Sequence, residues 1–211
     1  AAIEVLRGPQ GTLFGRNTPS GAVSMSSRRP DFNGEGYLDA SAGQYDLRAI
    51  DGAKSFTLIE DELAIRATGF YMERGGFVDV PGIGSDVLED RDRWGGRLQA
   101  LWQPNDDISV HVIADYSEID EICCAVGNWV NNLQAQQLPP GASPVLGTDN
   151  NVIAAGGTVI DQDDFYGYEV TSSFLPSSQN QDQGLSVQFA WALPGFDLTS
   201  ITAYREFDSF D

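Results

Sequence analysis

The chain has 211 residues, 41% of them hydrophobic, and its 23 Gly, 11 Phe, 7 Tyr and 4 Trp favour a β-rich fold. Acidic residues outnumber basic ones by 31 to 12, and this argues against a nucleic-acid partner, because phosphate binding needs a basic surface. The sequence has no apolar run of about 18 residues, which excludes a membrane-spanning helix but not spanning strands of about 9–11 residues.

The first thirty residues are punctuated by glycine and proline. Gly8-Pro9 predicts a tight corner. Gly11, Gly15 and Gly21 suit positions that need a positive φ or a close approach of backbone. A phosphate-binding loop is excluded because the chain contains no Gly-Lys-Ser/Thr, and the strands that follow exclude a βαβ dinucleotide-binding unit.

From about Glu35 onward, apolar residues recur with a period of two, which is typical of β-strands. Between Ile108 and Ser117, for example, isoleucine, valine, alanine and tyrosine alternate with serine, histidine and aspartate. The pattern predicts seven strands, at about 35–44, 47–58, 62–74, 91–103, 107–117, 183–193 and 197–208.

The connections between these strands alternate between short and long. Residues 59–62, 104–107 and 193–196 are predicted tight turns, whereas residues 75–90 and about 118–182 are long connections. Tight turns at one end and long loops at the other are typical of an up-and-down membrane barrel.

A soluble β-sandwich is the alternative that alternation alone would favour. Strands of about eleven residues are long for a sandwich, where about 5–6 is usual. One strand face carries polar side chains suited to a polar lumen: Arg93, Arg97, Gln99, Asp115 and Gln188. Aromatic residues near the strand ends predict two girdles, Trp102, Trp191 and Phe196 at the tight turns and Tyr71 and Tyr116 at the opposite end.

The two cysteines, Cys123 and Cys124, are adjacent, and the only histidine is His111. A zinc site needs more ligands at wider spacing, so no metal site is predicted. The cysteines could form a vicinal disulfide, remain free, or pair outside this chain. His111 lies on a strand predicted to face the lumen, and no catalytic triad or other catalytic residue is predicted. The chain is therefore not expected to be an enzyme.

Residues 3–30 closely resemble the end of the plug domain in TonB-dependent outer-membrane receptors. Four segments carry the resemblance in the family's order: Arg7-Gly8-Pro9, Leu13-Phe14-Gly15, Gly21-Ala22-Val23 and Arg29-Pro30. The sequence departs from the family at Pro19-Ser20, where a second glycine often precedes the Gly-Ala strand.

The resemblance implies an all-β fold. Residues 1–30 would be the C-terminal end of a plug. Residues 31–211 would be about seven of 22 strands of an antiparallel transmembrane barrel, with a long extracellular loop at about 118–182. It also implies a location in the outer membrane of a Gram-negative bacterium, in contact with its lipid.

The family's function is import of a scarce solute, energised by the TonB complex of the inner membrane. A ferric siderophore is the expected solute, with iron present only inside the transported chelate and no other cofactor. Import of glycans or cobalamin is the alternative within transport. A plugless structural or adhesin-type barrel is the alternative of another class.

Several site residues follow from the resemblance. Arg7 matches an arginine that resembles a latch to carboxylates on the inner barrel wall. In the long loop, Trp129, Tyr166 and Tyr168 are candidate solute contacts, and packing of the loop against itself is the alternative. Because the plug ends on the periplasmic side in this family, the tight turns would be periplasmic. Cys123 and Cys124 would then be extracellular and are expected to be oxidised.

Overall fold

The computed structural model describes residues 2–124, 167–172 and 174–210, and most of them are in β-strands. In chain order the elements are β1 (Ala2–Arg7), α1 (Gly11–Phe14), β2 (Gly21–Ser26), β3 (Gly36–Ala42), β4 (Arg48–Ile59), β5 (Leu63–Arg74), β6 (Val78–Val80), β7 (Gly84–Leu88), β8 (Arg91–Asn105), β9 (Ile108–Ile122), β10 (Ser177–Leu193) and β11 (Phe196–Phe210). Within the described ranges, no helix has the length and apolar character needed to cross a bilayer.

Seven of these strands form one antiparallel sheet in the order β3-β4-β5-β8-β9-β10-β11. Each strand pairs with the next of the seven along the chain, so the predicted up-and-down arrangement of seven strands is confirmed. Two short hairpins lie outside this sheet. The β1–β2 hairpin precedes it, and the β6–β7 hairpin occupies the connection between β5 and β8.

Two strands are longer than the sequence pattern predicted. β9 continues to Ile122 rather than to about 117, and β10 begins at Ser177 rather than at about 183. The predicted bounds were wrong because both faces of the added segments are largely polar, so they show no alternation. Backbone pairing nevertheless continues through these segments, and Gln179 Nε2 donates to Asp120 Oδ1 at 3.2 Å. The connection between the two strands is therefore 123–176.

One face of the seven-stranded sheet is apolar and uncovered. Register places Val112 opposite Val187, and Leu185 opposite Tyr204, on this face. Leu98, Leu185 and Tyr204 are 54%, 51% and 66% exposed, although a sandwich would cover such side chains with a second sheet. A continuous exposed apolar surface of this kind is typical of a membrane or protein contact.

Aromatic side chains border this apolar face at two levels. The predicted residues Tyr71 and Tyr116 lie at one level, and the structure adds Trp94, whose ring centroid is 5.2 Å from that of Tyr116. Trp102 and Trp191 lie at the opposite level. Trp94 and Trp102 are separated by roughly 27 Å along the strand. At the usual tilt of barrel strands, their separation along the barrel axis is about 21 Å, which is close to the height of the apolar band of membrane barrels.

The first prediction compares the two faces of β10. Val187 lies in the middle of the apolar face, and its neighbour Ser186 points to the other face. In the full-length protein, Val187→Lys should lower the free energy of unfolding from lipid vesicles by about 2–4 kcal/mol, because a cation near the bilayer midplane loses its hydration. Urea titration with heat-modifiable gel mobility measures the change.

Ser186→Lys is the matched control and should cost much less, since its side chain enters the polar interior. Equal tolerance of the two lysines would contradict a lipid-facing assignment of the apolar face.

Candidate functional site

The β1–β2 hairpin contains the four glycines singled out in the sequence. Gly8 has φ 85° and Gly21 has φ 147°. A Cβ on Gly21 would lie 2.5 Å from the carbonyl oxygen of Leu6, so a larger residue cannot fit without moving the backbone. Gly15 also has a positive φ, whereas Gly11 begins α1, and a Cβ added at Gly11 would meet no atom within 4 Å.

Arg7 lies at the end of β1, paired in register with Gly21, and its side chain is exposed. Its carbonyl oxygen accepts a hydrogen bond from Gln10 Nε2 at 3.4 Å. Among the described residues, the guanidinium makes no ion pair. Its role as a latch stays a prediction.

Residues 27–35, here called the strap, lie on the polar face of the sheet and contact β8, β10 and β4. Arg29 donates to Gln188 Oε1 at 3.3 Å, and the Arg28 carbonyl accepts from Gln99 Nε2 at 3.1 Å. Arg97 donates to the hydroxyl of Ser27. The polar strand face predicted from the sequence is therefore the face on which the strap lies.

Asp31 is the centre of the strap's attachment. Its Oδ1 accepts the backbone N–H groups of Asn33 and Glu35, both at 3.1 Å. Its Oδ2 accepts the Ser55 hydroxyl at 2.8 Å and lies 3.6 Å from Arg66 Nη1. Burial acts to raise the pKa of Asp31, but the hydrogen bonds and the nearby Arg28 guanidinium outweigh it and hold the pKa below its usual value. The carboxylate is therefore charged at neutral pH.

Ser55 of β4 and Arg66 of β5 supply the sheet's side of this attachment. Both residues are buried, with exposures of 0% and 4%. Arg66 Nη1 donates to Ser55 Oγ at 2.9 Å and to the Glu35 carbonyl at 3.3 Å. Sequence reasoning did not select Asp31, Ser55 or Arg66. An arginine within a polar strand face and an aspartate directly after Arg29-Pro30 were the available signals.

Beside the strap, the polar face lines a half-open pocket of about 600 Å³. An ion-pair chain borders it: Asp115 accepts from Arg97 at 3.2 Å and from Arg205 at 2.8 Å, and Arg205 also pairs with Asp182. Closer to the long connections, Arg93 pairs with Glu121, which is 4% exposed. The predicted polar residues thus form contacts across neighbouring strands.

A small apolar core lies at the end of the sheet that carries the long connections. Val78, Val80 and Leu88 of the β6–β7 hairpin are buried there. Phe77, Val87, Ile122, Val170 and Leu175 pack against them, and together these eight residues are called the loop platform. The platform joins the hairpin to both ends of the connection between β9 and β10.

Tyr168 belongs to this region. Its ring packs edge-on against Phe77 with 5.6 Å between centroids, and its carbonyl accepts the Asp79 N–H at 2.8 Å. Its side chain is 59% exposed. Trp129 and Tyr166, the other two candidate solute contacts, lie outside the described residues, so their proximity to Tyr168 stays a prediction.

Cys123 and Cys124 follow β9 directly and are joined to each other by a disulfide. Glu89 Oε1 accepts the Cys124 N–H at 3.0 Å, and Asp90 Oδ1 accepts the Ile122 N–H at 2.6 Å. Burial raises the pKa of Asp90 above its usual value. The cysteine pair and Tyr168 are thus held at the connection between β5 and β8. In the described part of the chain, no group of three His, Cys, Asp or Glu side chains could hold a metal ion.

Known proteins similar to this chain are receptors. A ferrioxamine receptor of Yersinia enterocolitica is 30% identical over 112 residues, which are 51% of this chain and 14% of that receptor. A ferrioxamine B receptor of Salmonella typhimurium is 44% identical over 46 residues, 22% of this chain and 7% of that receptor. No family model matches the chain.

The fold agrees with these sequence matches. The crystal structure of the ferric yersiniabactin uptake receptor FyuA from Yersinia pestis superposes with a TM-score of 0.73 over 98% of this chain, at 17% identity. The chain is a siderophore-receptor-like segment. It covers 28% of the FyuA chain and smaller shares of the two receptors above. The predicted resemblance and the predicted class, a partial up-and-down barrel, are both confirmed for this receptor-like chain.

The second prediction uses two glycines of the β1–β2 hairpin. Gly21→Ala should destabilise the hairpin by about 1–3 kcal/mol, because the new methyl group would collide with the Leu6 carbonyl at an unfavourable φ. Gly11→Ala is the control and should be neutral or slightly stabilising in α1. Hydrogen exchange of residues 2–26 in the full-length protein measures the difference, and equal protection in both variants would contradict it.

The third prediction concerns the cysteines. In full-length protein purified from the cell surface, Cys123 and Cys124 should resist alkylation until they are reduced, because the resemblance implies an extracellular location, and such a location is oxidising. Mass spectrometry of the peptide after iodoacetamide treatment, with and without prior reduction, gives the measurement. Alkylation of both thiols without a reductant would show the prediction to be wrong.

Proposed function

We propose that this chain is part of an outer-membrane receptor that imports a ferric siderophore with energy from the TonB complex. One observation carries the proposal. The plug-like β1–β2 hairpin leads through the strap onto the polar face of a sheet whose opposite face is apolar and uncovered. A plug connection on the inside and lipid on the outside explain both faces of the same strands.

The position of the strap supports a periplasmic assignment of the tight turns. The strap passes into β3 beside Ser55, near the end of β4 that leads to a tight turn, and the Ser55 N–H donates to the Glu35 carbonyl at 3.0 Å. The plug end therefore meets the wall toward the tight-turn end of the sheet. Residues 75–90 and 123–176 then lie outside the cell, where they would meet the solute first.

A siderophore is favoured over a glycan or cobalamin by the names of the similar proteins, which include ferrioxamine receptors and a ferric yersiniabactin receptor. In this proposal, iron enters only as part of the chelate. Tyr168 and residues of the long connection contact the solute, and the loop platform holds both ends of that connection. The resemblance of residues 3–30 to a plug argues against the plugless barrel.

The fourth prediction separates solute capture from transport. In the full-length protein, residues 125–166 are replaced by a short Gly-Ser linker between Cys124 and Gly167, which leaves the loop platform in place. Binding of ferric siderophores to iron-starved cells should be lost while the barrel still assembles. Arg7→Ala should leave binding largely intact and impair energy-dependent uptake or raise leakage.

Binding and uptake of radiolabelled ferric ferrioxamine, with heat-modifiable mobility as the assembly control, distinguish these variants. Unchanged binding after the replacement would contradict the extracellular assignment. Normal iron uptake in a deletion strain that lacks the whole gene would favour a glycan or cobalamin as solute.

A further inference from the structure

Two tyrosines from different connections pack on the same phenylalanine. Tyr45 lies in the turn between β3 and β4, and Tyr168 lies shortly before β10. Phe77, which lies between β5 and β6, has its ring centroid 5.4 Å from that of Tyr45 and 5.6 Å from that of Tyr168. Three connections at the same end of the sheet therefore meet in one aromatic row, Tyr45–Phe77–Tyr168.

The backbone on each side of Phe77 bonds to one of these tyrosines. The Gly75 N–H donates to the Tyr45 carbonyl at 2.7 Å, and the Asp79 N–H donates to the Tyr168 carbonyl at 2.8 Å. The two donors lie two residues before and two residues after Phe77. Residues 75–79, here called the brace, therefore hold each tyrosine by one backbone hydrogen bond and one ring contact.

Both tyrosines adopt a backbone conformation that is uncommon for a bulky residue. The angle φ is 58° at Tyr45 and 54° at Tyr168, in the left-handed region that favours glycine. A bulky residue stays in this region only when its surroundings hold it there, and such residues are frequent at ligand-binding sites. The brace thus supports a strained tyrosine on each of its two sides.

Phe77 is itself held in place and can support its neighbours. Its N–H donates to the Leu88 carbonyl at 3.0 Å, and its side chain packs against the buried core of the loop platform. The guanidinium carbon of Arg74 lies 5.0 Å from the Phe77 ring centroid, and Arg74 also donates to the Glu89 carbonyl. The side chains of the two tyrosines are 46% and 59% exposed in the described structure. The aromatic row therefore has a fixed centre and two accessible ends.

We propose that Phe77 is a positioning residue for solute binding, and that the two tyrosines it holds, Tyr45 and Tyr168, contact the solute together. This inference rests on the proposed function and adds Tyr45 and Phe77 to the residues on which binding depends. A tyrosine side chain combines an apolar ring with a hydroxyl group, which suits a chelate that presents both apolar and polar groups. Phe77 acts on binding through the two tyrosines and does not touch the solute.

A cycle of substitutions in the full-length protein separates positioning from direct contact. Phe77→Ala is introduced into the unaltered receptor and into a double-alanine receptor that carries Tyr45→Ala and Tyr168→Ala. Radiolabelled ferric ferrioxamine B, added to iron-starved cells, gives the Kd and the maximal rate of uptake. Heat-modifiable mobility gives the amount of assembled barrel in each strain.

In the unaltered receptor, Phe77→Ala should raise the Kd by about ten-fold, whereas the maximal uptake rate per assembled receptor should change by less than about two-fold. In the double-alanine receptor the same substitution should change the Kd by less than about two-fold, because the side chains through which Phe77 acts are gone. An equal rise of the Kd in both receptors would overturn the proposal, since Phe77 would then act independently of the tyrosines. A double-alanine receptor that binds as tightly as the unaltered one would overturn it as well.

Two further variants distinguish positioning from general damage to the hairpin. Ile83→Ala changes an exposed side chain in the β6–β7 turn, outside the aromatic row, and should leave the Kd within about two-fold of the unaltered receptor. If Phe77→Ala does not assemble, Phe77→Leu is tested by the same criteria. It keeps an apolar side chain against the loop platform but lacks the aromatic ring.

Hydrogen exchange tests the positioning role without any solute. The Gly75 and Asp79 N–H groups donate from the brace, and the Val170 N–H donates to the Asp79 carbonyl. Phe77→Ala should speed the exchange of these three groups by about ten-fold and leave the β4–β5 pairing unchanged. Unchanged exchange at all three groups would overturn the proposal.

The exchange measurement also separates this proposal from the proposed function. If the unaltered receptor binds no ferric ferrioxamine B, the proposed function fails for this chelate, and exchange alone decides whether Phe77 holds the two tyrosines. The exchange result decides in the same way if the double-alanine receptor binds too weakly for a Kd to be measured.

Discussion

Burial of the Arg66 guanidinium is the constraint on which the interior of this segment depends. A buried cation must have acceptors. Among the described residues of the sheet, the Ser55 hydroxyl is the one acceptor that Arg66 contacts. The carboxylate of Asp31 and the carbonyl of Glu35 supply the remainder, and both come from the strap. The strap therefore supplies acceptors for the buried Arg66 guanidinium that the neighbouring strand does not.

The two faces of the seven-stranded sheet differ in polarity, because successive side chains of a strand point to opposite faces. On one face, arginine, aspartate and glutamine side chains form pairs across neighbouring strands, as in the chain from Arg97 through Asp115 to Arg205. On the other face, leucine and aromatic side chains such as Leu98, Leu185 and Tyr204 are exposed. In water this apolar face would promote aggregation, whereas in lipid it is the favourable surface.

The long connections are organised by a core of their own. Val80 and Leu88 are almost completely buried although they belong to a hairpin outside the main sheet. Ile122 and Val170 approach that hairpin from opposite ends of the connection between β9 and β10. The base of the long connection is thus fixed by apolar packing and by backbone bonds from Glu89 and Asp79. A defined base restricts where the remainder of this connection can reach.

The sequence by itself determined the seven strands, the separation of their two faces, and the glycines of the first turn, because period-two alternation and positive-φ requirements are local properties. Only the tertiary structure decided the outer ends of β9 and β10, where both faces are largely polar and alternation disappears. It also decided the β6–β7 hairpin, whose strands are too short to show a period. The contacts of Asp31 depended most on the tertiary structure. Ser55 lies on β4 and Arg66 on β5, and the register of these two strands places them side by side. Asp31 meets both only because the strap crosses the sheet at that point.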